Sequence, residues 1–138
     1  GPKITDDEVE EFMEKLDDIK REDFIVLAGS VSRNMKDDIY EKICIKVKEK
    51  GANIYRFETY LTRQKLNLYS NFKERSSADC KFLQNILRTE FGFSDIPTNM
   101  MPAGALEAIV GALVAREYSK GNFETIAQFC NVDVINVK

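Results

Sequence analysis

The sequence predicts a mainly helical single domain over residues 3–138, with a three-layer α/β arrangement around a short parallel sheet as the alternative. Three observations lead there. Apolar residues recur at helical spacing in at least five segments bounded by cap or stop residues. At most three short runs are rich enough in β-branched residues to form strands. With 138 residues, 43% hydrophobic and 31% charged, the chain has the composition of one soluble globular unit with its own core.

The elements follow in order. Thr5-Asp6-Asp7-Glu8 pairs a cap residue with acids that suit the positive end of a helix dipole, and Val9, Phe12, Met13, Leu16 and Ile19 continue at helical spacing. Phe24–Val31 is an apolar run that suits a buried strand or a buried helix. From Asp37 to Lys50, Ile39, Tyr40, Ile43, Cys44 and Val47 mark a helix that Gly51 stops. Asn53–Phe57 is a short strand or an extended connection. Thr62 is placed as the cap of a helix with a broken stripe of Leu61, Leu68, Tyr69 and Phe72. Ser76-Ser77-Ala78-Asp79 opens a stronger helix with Phe82, Leu83, Ile86, Leu87 and Phe91 on one face, closed by Gly92 and Pro97. Ala103–Tyr118 is a helix burying Leu106, Ile109, Val110, Leu113 and Val114. Phe123, Ile126, Ala127, Phe129 and Cys130 suggest a short helix, and Val132–Lys138 reads as a tail.

Composition narrows the function classes. Lys and Arg number 20 against 23 Asp and Glu, for a net charge of -3, which disfavours autonomous binding of nucleic acid. There is no histidine, and Cys44, Cys80 and Cys130 lie far apart, so a Cys/His zinc site is disfavoured and a His-dependent triad within the chain is excluded. Those cysteines suit buried thiols of an intracellular protein, with the mitochondrion and the cytoplasm both open. No apolar run is long enough to span a membrane, and Gly1-Pro2 reads as a tag remnant.

Glu107 stands out as a lone carboxylate in the small-residue helix Ala103–Leu113. A charge there needs a partner, a metal or an interface. As a metal ligand it would suit Mg²⁺, which prefers carboxylate oxygens, but positions 103, 104, 110 and 111 carry no second acid. Gly29-Ser30, after an apolar run, suits either a phosphate-holding turn or close packing. Lys46, Lys48, Lys50, Arg56, Arg63 and Lys65, interleaved with Tyr55, Phe57, Tyr60 and Tyr69, form the one noticeably basic region. It reads as an RNA contact surface or, with Glu41, Glu49 and Glu58 mixed in, as a solvated face.

The segment Ala103-Gly104-Ala105-Leu106-Glu107-Ala108-Ile109-Val110-Gly111-Ala112 resembles the ribonuclease III motif Ala-Asp-x-x-Glu-Ala-apolar-apolar-Gly-Ala, in which the Asp and Glu bind magnesium. Gly104 replaces that Asp. The family's main motif would fall on Glu22–Val31, where Ile25 and Gly29 replace its two metal-binding acids. The resemblance implies a catalytically inactive domain, with Glu107 as the remnant of a site and no metal (Mg²⁺ only if activity survives). It implies pairing with a second copy or a related domain through Gly104, Glu107, Ala108 and Gly111. It also implies a place in an RNA-processing or mitochondrial ribosomal assembly, with Lys46, Lys48, Arg56, Arg63 and Lys65 as RNA contacts.

A second resemblance competes. Asp23–Val31, followed by Asp37–Glu41 and Lys48-Glu49-Lys50-Gly51, is similar to the strand, Gly-Ser loop and helix of phosphofructokinase-B-type sugar kinases. Pro102–Ala108 can be laid on their Gly-Ala-Gly-Asp catalytic loop, which puts Glu107 at the base position. This reading implies a small α/β phosphotransferase-like enzyme; its length fits poorly, because half of the sugar site would have no counterpart. A protein-interaction module without RNA is the third reading.

Overall fold

The computed structural model describes residues 5–28, 39–129 and 131–138. Gly1-Pro2, Gly29-Ser30, Asp37-Asp38 and Cys130 lie outside the described residues. The Thr5 hydroxyl accepts from the Glu8 backbone N–H at 3.1 Å and caps α1 (Asp6–Lys15). A 3₁₀ turn, Leu16–Asp18, leads to β1 (Phe24–Ala28). Then come α2 (Ile39–Glu49), β2 (Asn53–Phe57), α3 (Thr59–Lys65), α4 (Ser77–Glu90), α5 (Ala103–Ser119), β3 (Phe123–Phe129) and β4 (Val132–Val137).

The strands form one sheet in the order β1-β2-β4-β3. β1 runs parallel to β2 with Phe24 opposite Asn53 and Ala28 opposite Phe57. β2 runs parallel to β4, and β3 closes an antiparallel edge. The protein is therefore α/β, and this sheet overturns the mainly helical, ribonuclease III-like expectation. The parallel arrangement matches the alternative fold.

Two segments account for the difference. Val132–Val137 reads as a tail because Asp133 and Asn136 interrupt its apolar residues, yet four of its six residues lie in the core on both faces of the sheet. Asn136 can be buried there because its amide oxygen accepts from the Thr62 hydroxyl at 3.1 Å and from the Val137 N–H at 2.9 Å. Phe123–Phe129 imitates helical spacing because the register shifts between Thr125 and Ala127, which leaves Ile126 44% exposed on an edge strand. Thr62 lies inside α3 rather than capping it.

Helices cover both faces. On one, Ile39, Ile43, Cys44 and Val47 of α2 pack with Leu16, Ala52, Ile54 and Val132. Gly51, at φ +74°, ends α2 as the spacing predicts, and the Ala52 N–H donates to the Val47 carbonyl at 3.3 Å. The other core joins Phe57, Ile135 and Val137 of the sheet to Leu83 and Leu87 of α4 and to Leu106, Val110, Leu113 and Val114 of α5. Cys44 and Cys80 are buried, one in each core.

Candidate functional site

Gly111 fixes how α5 lies on the sheet. A Cβ at this position would sit 3.1 Å from Phe57 Cε1 and 3.8 Å from Val26 Cγ2, so the glycine lets the helix approach closely without displacing the Phe57 ring. Seven residues later Tyr118 packs edge-on to Phe24, at 5.5 Å between ring centres, and against Tyr55 at 4.1 Å. α5 therefore runs antiparallel to β1 and β2, with its first turn toward their C-terminal ends. Gly104 precedes Gly111 by about 10 Å of helix, and Ala28 follows Val26 by about 7 Å of strand. The head of α5 thus stands level with or just beyond the ends of the parallel strands.

That head is open. Pro102 occupies the cap position and offers no side-chain acceptor to the first-turn N–H groups; its carbonyl accepts from Ala105 and Leu106. Gly104 is exposed, and a Cβ there would meet nothing within 4 Å. One turn on, the Glu107 carboxylate accepts from Arg75. The Arg75 side chain is 53% exposed, whereas that of Glu107 is 17% exposed, so the pair holds a solvent-facing guanidinium beside the helix head.

Arg75 is itself placed by a buried pair. Asp79, near the start of α4, accepts from Arg63 of α3 through both oxygens at 2.8 and 3.0 Å. The Ser70 hydroxyl donates to Asp79 at 2.7 Å and the Arg75 backbone N–H at 3.0 Å. Arg63 in turn donates to the Leu68 carbonyl at 2.9 and 3.1 Å. The Arg63 guanidinium beside Asp79 holds its carboxyl well below the usual range, at about 2, against the opposing effect of burial. Arg75 adopts φ +64°, the conformation that turns the chain from this pair into the Ser76 cap of α4.

The residues singled out from the sequence fall as follows. Gly104 and Ala108 are exposed on α5, Glu107 is held by Arg75, and Gly111 faces the sheet within its own chain. Lys46 pairs with Asp17 at 2.9 Å, Lys48 donates to the Asn131 carbonyl at 3.3 Å, and Arg56 lies over the Tyr40 ring at 5.1 Å. Arg63 is buried with Asp79, and Lys65 is exposed at the end of α3. Lys46 and Lys48 belong to the helix on one face of the sheet and Arg63 to those on the other, so these cations do not converge. Among the described residues, no group of three or more His, Cys, Asp and Glu side chains could hold a metal ion. Arg75 and Asp79 escaped the sequence reading as site residues. The Ser76-x-x-Asp79 cap pattern was visible, but the reach from Arg75 to Glu107 was not.

Over 54 residues the chain is 35% identical to a 1-phosphofructokinase of Bacillus subtilis (strain 168). The match covers 39% of this chain and 18% of that enzyme, so the chain spans less than a fifth of the curated relative it matches. No family profile and no solved structure matches the chain. With the parallel sheet, this likeness overturns the reading as an inactive ribonuclease III-like, RNA-associated subunit and favours the sugar-kinase alternative. Among the described residues, no helix is long and apolar enough to cross a membrane.

Proposed function

We propose that this chain binds a phosphorylated sugar at the head of α5, as an α/β unit related to sugar kinases of the phosphofructokinase-B type. The observation that carries the reading is the open, small-residue start of α5 at the C-terminal ends of parallel strands. Open α/β sheets take their ligands at that edge. A helix start adds N–H donors and a positive dipole end suited to phosphate. Arg75, held one turn away by Glu107, adds a cation.

The partial likeness to a 1-phosphofructokinase supports a phosphosugar as the ligand class. Glu107 would have to release Arg75 before its carboxylate could take a proton from a sugar hydroxyl. The resting geometry therefore favours binding over phosphoryl transfer. Isothermal titration calorimetry with fructose 1-phosphate, inorganic phosphate and fructose tests the reading. It expects one site that prefers the phosphosugar to either part and an affinity roughly ten-fold weaker in Arg75→Ala. Equal or absent binding of all three compounds would contradict it.

A further inference from the structure

Charge is unevenly distributed along this chain. α1 carries six acids and one lysine within ten residues, a net charge of -5. The whole chain is -3, so everything outside α1 is net +2. None of α1 is buried, and Phe12 is left 40% exposed with Glu8 and Glu11 nearby on the same helix. An acidic helix presenting an exposed aromatic ring would suit a basic surface with an apolar groove.

A surface of that kind lies beside α4. A groove of about 660 Å³ runs beside that helix, with Phe72, Phe82 and Met100 as its apolar surface and Lys81 and Arg88 along it. Phe72 and Met100 are 57% and 56% exposed, more than a monomer gains from leaving bare. One wall is set in advance: the Gln84 amide donates to the Pro97 and Asn99 carbonyls, each at 2.6 Å, and its oxygen accepts from the Met101 N–H. A preformed groove loses little entropy on binding. Lys81 and Arg88 are seven residues apart, about 10 Å along α4, within the roughly 15 Å length of α1.

We propose that α1 of one copy docks in the α4 groove of a second copy, with Phe12 against Phe72, Phe82 and Met100 and the α1 acids facing Lys81 and Arg88. The contact joins two different surfaces, so it is heterologous and extends head to tail. This proposal is independent of the phosphosugar reading, which concerns the head of α5.

Sedimentation of the 138-residue chain tests it. The wild type should self-associate with rising concentration at low salt and weaken several-fold at high salt. A groove variant, Lys81→Glu with Arg88→Glu, and a helix variant, Glu11→Lys with Phe12→Ala, should each be monomeric. Mixed, they should form a one-to-one heterodimer that grows no further, because each retains the half that the other lacks. Circular dichroism and a cooperative thermal unfolding transition verify that both variants are folded. A wild type that stays monomeric at every concentration and salt would overturn the proposal and leave the groove to a different acidic partner. Variants that still self-associate, or a folded pair that fails to combine, would overturn it equally.

Discussion

Replacing Asp79 by alanine removes the acceptor at the centre of the network that places Arg75. Arg63 and Asp79 are 6% and 3% exposed, and the carboxylate receives Arg63 twice, Ser70 once and the Arg75 backbone once. In Asp79→Ala the guanidinium stays buried with the Leu68 carbonyl as its remaining acceptor in this network. Deleting one partner of such a pair costs about 3–5 kcal/mol, against a total stability of about 5–15 kcal/mol for a domain. Urea denaturation should therefore show a loss of about a fifth or more of the stability, and the thermal midpoint should fall by about 10–15 °C. Arg63→Met with Asp79→Leu removes both charges and should return to within about 2 kcal/mol of the parent.

Acid titration gives a second readout of the same pair. The Asp79 carboxyl sits at about 2 in the folded chain, against 3.8 ordinarily. Because the folded value is depressed, its contribution is present above pH 3.8 and is lost as pH falls toward 2. That loss amounts to about 2 kcal/mol, and Asp79→Asn should lack it. A cost below about 1 kcal/mol for Asp79→Ala, or superimposable acid limbs for the parent and Asp79→Asn, would refute the reasoning.

Other expected outcomes follow from the packing. Gly111→Leu drives a bulky side chain against the Phe57 ring, which already stands 3.1 Å from where a Cβ would lie; overpacking should cost about 1–3 kcal/mol by chemical denaturation. Gln84→Leu leaves the Pro97 and Asn99 carbonyls and the Met101 N–H without this partner, so it should cost about 2–3 kcal/mol and speed hydrogen exchange at Met101. Tyr55 is raised far above its ordinary 10.0 by burial and by its hydrogen bond with Tyr118. Its contribution is intact below pH 10 and is lost only as pH climbs toward the raised value, so ultraviolet titration should include a tyrosine step well above pH 10. Tyr55→Phe should shrink that late step by one tyrosine, leaving the smaller upward displacement of the half-buried Tyr40.

Helical periodicity made α1, α2, α4 and α5 legible, because each sets a stripe of apolar residues toward one core and ends at a recognisable cap or stop. Strands carried less local information. Phe24–Ala28 is covered by helices on both faces, so it shows the continuous apolar run that a buried helix also shows. β4 is recognisable only once Asn136 is known to have Thr62 as a partner, 74 residues away. The same limit applies to the site. Glu107 looked like the survivor of a metal cluster because nothing near it in sequence balances its charge; its partner, Arg75, lies 32 residues upstream, in a left-handed conformation set by Asp79. Arg63 read as a surface cation because its sequence neighbours are polar, and Asp79 is what draws it inside.

The central claim is that the head of α5, at the ends of the parallel strands, receives a phosphosugar. Titrating isotope-labelled protein with fructose 1-phosphate while following backbone amide resonances tests that most directly. The account predicts saturable shifts centred on Ala103, Gly104 and Ala105, with Arg75 affected and the α4 groove around Lys81 and Arg88 unmoved. Unchanged resonances at the head of α5 under saturating phosphosugar, or shifts confined to another surface, would contradict it.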